Sequence, residues 1–90
     1  MWTLNYSGRF KKDLKRYKNN AGKISKLFSV LQLLERDGMV PSENKPHILQ
    51  GEYAGFRECH IENDFLLIRI DEKINEIRLV RLGTHSDLFK

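Results

Sequence analysis

Residues 65–83, "FLLIRIDEKINEIRLVRLG", constrain the fold more than any other stretch of this chain. Two runs rich in Leu, Ile and Val flank the polar "DEKIN", and each has the length and apolar content of a strand. A polar turn between two such runs folds them back on each other antiparallel. Upstream, "GFRECHIE" reads as a further strand, set off from the first run by the turn pair Asn63-Asp64, and "HILQ" as a short one. Three or four strands in succession build an antiparallel sheet, whose apolar face needs a covering layer.

The first third of the chain supplies that layer. "WTLNY" alternates, with Trp2, Leu4 and Tyr6 on one side, so residues 2–6 read as a strand. Ser7 can cap a helix in which Phe10, Leu14 and Tyr17 fall on one face, with Arg9, Lys12, Lys15 and Arg16 roughly opposite. "NAGK" is expected to break it. A second helix follows from about Lys23 to Arg36, with Ile24, Leu27, Phe28, Leu31 and Leu34 as its apolar stripe. Gly38 stops it and Pro41 prevents a restart. The expected fold is therefore α+β: an N-terminal strand, then two helices packed on one face of a mainly antiparallel sheet of four to five strands. Residues 1–90 read as a single domain in which "MVPSENKP" is a surface loop.

No apolar run approaches the roughly 20 residues that span a bilayer, and the N-terminus lacks the pattern of a signal peptide. The expected location is the cytoplasm, with no membrane partner. One cysteine, Cys59, excludes an internal disulfide. Charge is distributed unevenly: through Arg36 there are nine Lys or Arg against Asp13 and Glu35, and from Asp37 onward seven against ten acids. The basic first third suits nucleic acid or an acidic protein, although an ordinary solvated helix face has the same composition.

His47, His60 and His85 all lie in the second half, each beside a strand or turn. Histidine transfers protons near neutral pH, so these three with Asp64 can form a general acid and base set; for any one of them alone, a hydrogen-bonding role is the simpler reading. His60 and Glu62 should share a strand face, and the turn should return Asp64 toward His60. Cys59 and His60 point to opposite faces and no paired-cysteine spacing is present, so no metal site is expected, and Cys59 reads as a small core residue. Arg81 should share a face with Ile77 and Leu79, where a guanidinium can fork onto phosphate or simply pack its stem. Phe89 is either a core anchor or a stacking platform for a nucleobase. Gly51 and Gly55 read as turn residues, and Ser86 beside His85 is no triad.

The segment "KPHILQGEYAGFRECHIENDFLLIRI" followed by "IRLVRLGTHSDLF" resembles the YafQ branch of the RelE/ParE toxin superfamily. The likeness rests on a histidine before a Leu-x-Gly turn, the "ECHI" strand, an Asp entering "LLI", and the terminal Arg-x-Gly-Thr-His with Leu-Phe. It covers roughly residues 46–89, and the strand-helix-helix start agrees more loosely. Arg69 stands where relatives often have Tyr, and Gln50 where a Lys often precedes the Gly.

The resemblance implies a RelE-like fold and a bacterial toxin of a toxin–antitoxin pair. Its activity would be metal-independent and cofactor-free cleavage of translated mRNA on the ribosome, with no small-molecule ligand. It carries catalysis to His47, His60, Asp64 and His85 without fixing which is base and which acid, and substrate placement to Phe89. Arg81 would then stabilise charge, and Lys11, Lys12, Lys15, Arg16 and Lys18 would hold ribosomal RNA through phosphate contacts. The partners expected are a cognate antitoxin, the ribosome and mRNA. Two alternatives stand beside this: a ParE-like toxin acting on a protein such as gyrase, and a noncatalytic antitoxin-binding module.

Overall fold

A computed structural model describes residues 1–89; Lys90, the last residue of the expected domain, lies outside them. Strand β1 (Thr3–Tyr6) leads into helix α1 (Gly8–Lys15) and helix α2 (Ala21–Asp37). Strands β2 (His47–Ile48), β3 (Arg57–Glu62), β4 (Phe65–Asp71) and β5 (Glu76–Gly83) follow, and a last turn of helix, α3 (His85–Leu88), closes the described chain. The five strands form one sheet in the order β1-β5-β4-β3-β2, antiparallel except for the parallel pair β1 and β5.

Ser7 caps α1 as its residue type requires, its hydroxyl accepting from the Phe10 amide at 3.0 Å. The expected break at "NAGK" falls earlier. The Asn20 side chain accepts from the Lys23 amide at 3.1 Å, so Ala21 and Gly22 form the first turn of α2 instead of interrupting the chain. Tyr17 consequently lies past the end of α1, yet still packs on Phe65 with ring centroids 4.7 Å apart. In α2 the buried stripe is Leu27, Val30, Leu31 and Leu34, while Phe28 is 46% exposed. Among the described residues no helix is long and apolar enough to cross a membrane.

Gly38 ends α2 at φ 71°, a left-handed conformation, and donates to the Leu34 carbonyl at 2.8 Å. A Cβ there would fall 2.2 Å from the Trp2 ring. Gly38→Ala should therefore cost about 1–2 kcal/mol for the backbone conformation alone, with displacement of Trp2 added. Thermal unfolding would read this as a lowered Tm, and indole fluorescence would report the movement of Trp2.

One face of the sheet meets the helices: Phe10, Leu27, Leu31 and Leu34 pack with Cys59, Ile61, Phe65, Leu67, Ile77, Leu79 and Leu82. The other face carries a smaller cluster of Leu66, Ile68 and Leu88 with Leu49, Tyr53, Phe56 and Val80, and among the described residues the 49–56 loop and the tail cover it. β4 is buried on both faces from Phe65 to Arg69, which is why its sequence is almost continuously apolar.

Two bulges change which residues face which side. Between His60 and Glu62 the β3–β4 register slips, setting His60 opposite Leu66 but Glu62 opposite Phe65. Glu62 therefore turns to α2, where its oxygens lie 3.3 Å from Lys23 Nζ and 3.4 Å from Lys26 Nζ. The expectation that His60 and Glu62 share a face fails, because the extra residue inverts the alternation. A second slip sets Arg81 opposite Ile68, leaving Val80 unpaired between Arg81 and Leu79. Arg81 thus belongs to the open face of Leu66 and Ile68, not to that of Ile77 and Leu79.

Candidate functional site

The open face gathers the chemistry in two groups. Lys45 turns the chain in a left-handed conformation, φ 49°, just before Pro46 and β2, and the β2–β3 register sets His47 directly opposite Glu58. His47 Nε2 lies 3.1 Å from Glu58 Oε1, and His60 Nε2 lies 3.8 Å from the same oxygen. The two imidazoles are 6.4 Å apart. Their Nδ1 atoms face backbone carbonyls, His47 that of Lys45 at 2.9 Å and His60 that of Asn63 at 3.2 Å. Sequence reasoning missed Glu58; its alternation with His60 along "ECHI" was the signal available.

The second group surrounds the tail. Asp64 does not return to His60: its Oδ1 accepts from the His85 backbone amide at 2.8 Å and so fixes the start of α3. The Thr84 hydroxyl caps that turn, accepting from the Asp87 amide at 3.2 Å, while Leu88 anchors it in the smaller cluster. The sequence reading contained no helix here, although Thr84 followed three residues later by Asp87 is a capping pattern. The Phe89 ring lies 5.0 Å from His85 and 5.7 Å from Tyr53, edge-on to the latter. Asp64, His85, Phe89 and Tyr53 therefore meet at one corner of the sheet.

Arg81 stands beside this corner but is not free. Its Nε donates to Asp13 Oδ2 at 2.8 Å and its Nη2 to Asp13 Oδ1 at 3.3 Å, while Nη1 reaches the Tyr53 hydroxyl at 3.4 Å. The Asp13 bonds hold the Arg81 pKa above its ordinary value. β1 pairs β5 only as far as Leu79, so Asp13 also takes the exposed edge beyond it by accepting from the Leu82 amide at 2.9 Å. Arg69 lies away from the open face: burial lowers its pKa and its guanidinium bonds Asp71.

Lys11, Lys12, Lys15 and Lys18 are exposed around α1, and Arg16 reaches Asp87 on α3 at 3.5 Å. The basic surface is thereby tied to the tail. A hollow of about 390 Å³ adjoins His60 and is walled in part by Lys26, Asn44, Lys45 and Asn63. Although His47, Glu58 and His60 converge, no three His, Cys, Asp or Glu side chains among the described residues are arranged to hold a metal ion. Cys59 is buried on the helix side, and burial pushes its thiol up to about 12. Iodoacetamide at pH 8 should therefore leave the folded protein unlabelled and react only on unfolding, which intact-mass measurement would read.

Residues 2–90 match the family model described as the bacterial toxin of type II toxin-antitoxin system, YafQ. The chain is 35% identical over 88 residues to the mRNA interferase toxin YafQ of Escherichia coli K12, covering 96% of this chain and 94% of that protein. Its fold matches the crystal structure of the E. coli DinJ-YafQ complex with a TM-score of 0.85 and 33% identity over the full length of both chains. A metal-bound toxin from Helicobacter pylori, 39% identical, superposes with a TM-score of 0.85 over 99% of this chain and 100% of that one.

Proposed function

The chain belongs to the YafQ family of bacterial type II toxins, and from that premise we propose that it is an mRNA interferase that cuts translated mRNA on the ribosome and is held silent by a cognate antitoxin. The observation that carries this reading is the open sheet face, where His47 and His60 stand on neighbouring strands and the Asp64, His85 and Phe89 corner lies two strands further on. His60 shares a cross-strand row with Leu66 and Gly83, which places it about 10 Å from the base of the tail at ordinary strand spacing. A strand of RNA crossing that row meets titratable groups on both sides.

Cleavage needs a base to take the 2′-hydroxyl proton, a cation for the charge that builds on phosphorus-bound oxygens, and an acid for the departing 5′ oxygen. The histidines and Asp64 supply proton transfer without requiring a metal. Asp64 also fixes where α3 begins, by accepting from the His85 amide. Phe89 offers a ring for a base, and Arg81, aimed by Asp13, supplies positive charge at the same corner. The Lys11, Lys12, Lys15, Arg16 and Lys18 surface holds ribosomal phosphates. Changing Lys11, Lys12 and Lys15 together to Ala should weaken ribosome binding and flatten its salt dependence by about 2–3 in log–log slope, measured by sedimentation across a salt series.

The deciding experiment compares cleavage of one mRNA, free and on translating ribosomes, with cut positions mapped by primer extension and the metal content of the protein measured alongside. Codon-spaced cuts only on ribosomes, by protein free of bound metal, support the reading. No cuts, with DNA supercoiling inhibited, would replace it with a gyrase-directed toxin.

A further inference from the structure

The row that runs from Gly83 through Leu66 to His60 leaves the sheet at His60. β2 pairs with β3 only at His47 and Ile48, so no strand lies beside His60. What lies there is the hollow of about 390 Å³, set between the end of β3, helix α2 and the turn of residues 42–45. That volume is at the small end of the roughly 300–1,000 Å³ of ligand sites, room for a single nucleotide.

The walls of the hollow divide by chemistry. Val30, Leu33 and Ile61 give it an apolar side, and Asn44 and Asn63 add side-chain amides that can donate or accept. Asn44 is already fixed in place, its Nδ2 donating to the His60 carbonyl at 2.9 Å, which leaves Oδ1 for a ligand. Lys26 and Lys45 bring positive charge. Glu62, which would oppose a phosphate, is paired with Lys23 at 3.3 Å and with Lys26 at 3.4 Å, and Glu43 is exposed at the rim. Lys45 holds a left-handed backbone at φ 49°, a conformation that glycine takes without strain. A lysine is thus a poor residue for the turn and a suitable one for a phosphate.

We propose that this hollow is a nucleotide subsite: the mRNA residue next to the cut, on the His60 side, sets its base against Val30, Leu33 and Ile61 and its phosphate against Lys45. The proposal rests on the open face being the cutting face, because a strand crossing from the tail corner past His60 has the hollow next in its path. The phosphate contact fixes register, whereas the base meets polar groups that distinguish one base edge from another. The hollow therefore supplies a sequence preference that the Phe89 ring, on which any base can stack, does not.

Ser29→Trp tests the subsite. Ser29 lines the hollow from an exposed position of α2, where its hydroxyl donates to the Ser25 carbonyl, so an indole there fills the space without entering the core. On translating ribosomes, with mRNA randomised around the cut, this variant should lose about tenfold or more in kcat/KM, entered through KM. Its base preference at the neighbouring position should flatten, with the Tm unchanged. Lys45→Gly, which keeps the turn, should raise KM and leave the preference in place. Wild-type behaviour of folded Ser29→Trp would overturn the proposal, as would a wild-type protein indifferent to the base at that position. Weaker cleavage with the preference intact would mean a clash with the ribosome and would overturn it too.

Amide NMR of the free protein with a 2′-O-methyl tetranucleotide, which lacks the attacking hydroxyl, separates this proposal from the proposed function. The amides of Ser29, Asn44, Lys45 and Asn63 should shift in wild-type protein, and those of Asn44, Lys45 and Asn63 should not in Ser29→Trp. Shifts confined to His85 and Phe89 would overturn the subsite. If wild-type protein cuts no mRNA while the hollow's amides shift, the proposed function fails and the subsite stands.

Discussion

Asp13→Ala is expected to destabilise the protein by about 3 kcal/mol or more, the largest stability loss of any single change described here. Asp13 is 5% exposed and satisfies three donors at once: Arg81 Nε, Arg81 Nη2 and the Leu82 amide. Removing it leaves a largely buried guanidinium without its counter-charge and a strand-edge amide without an acceptor, a combination that typically costs several kcal/mol. Asp13→Asn keeps an acceptor for one donor and should lose visibly less. Urea denaturation with an unchanged m-value would register both losses. An Asp13→Ala protein as stable as wild type would mean that Arg81 reaches water freely, and the account of how it is aimed would fail.

His85→Ala should do the opposite: cleavage on ribosomes should fall by roughly 10²–10⁴-fold, with the Tm nearly unchanged. The His85 ring lies against Phe89 on the surface, whereas Leu88 supplies the buried anchor of the turn and the His85 amide, which any residue provides, keeps the bond to Asp64. Loss of the ring therefore removes chemistry and leaves the scaffold. Single-turnover cleavage beside a thermal melt separates the two, and retained cleavage would remove His85 from the proposed set.

The strands and both long helices were legible because their signals are local: alternation in "WTLNY", the apolar runs around "DEKIN", Ser7 at a cap and Gly38 at a stop. The facing of Glu62 and Arg81 was not legible. Each depends on one extra residue in a ladder, and a bulge is fixed by what packs on the two sides of a strand, not by the residues within it. Asp64 went to His85 for a related reason: a turn shows that a chain reverses, but not which amide 21 residues later will need an acceptor. His47, His60 and Asp64 are singled out by residue type and by resemblance. Glu58, although only two residues before His60, looked like any other acid until its burial was known.

The parallel pairing of β1 with β5 carries a consequence for synthesis. Residue 3 finds its partner at residue 76, so the first strand leaves the ribosome with nothing to pair against until most of the chain has followed. The sheet that orders the tail cannot close before β5 is free, and His85 emerges later still. A nascent chain therefore cannot assemble the open face of the sheet until β5 has emerged.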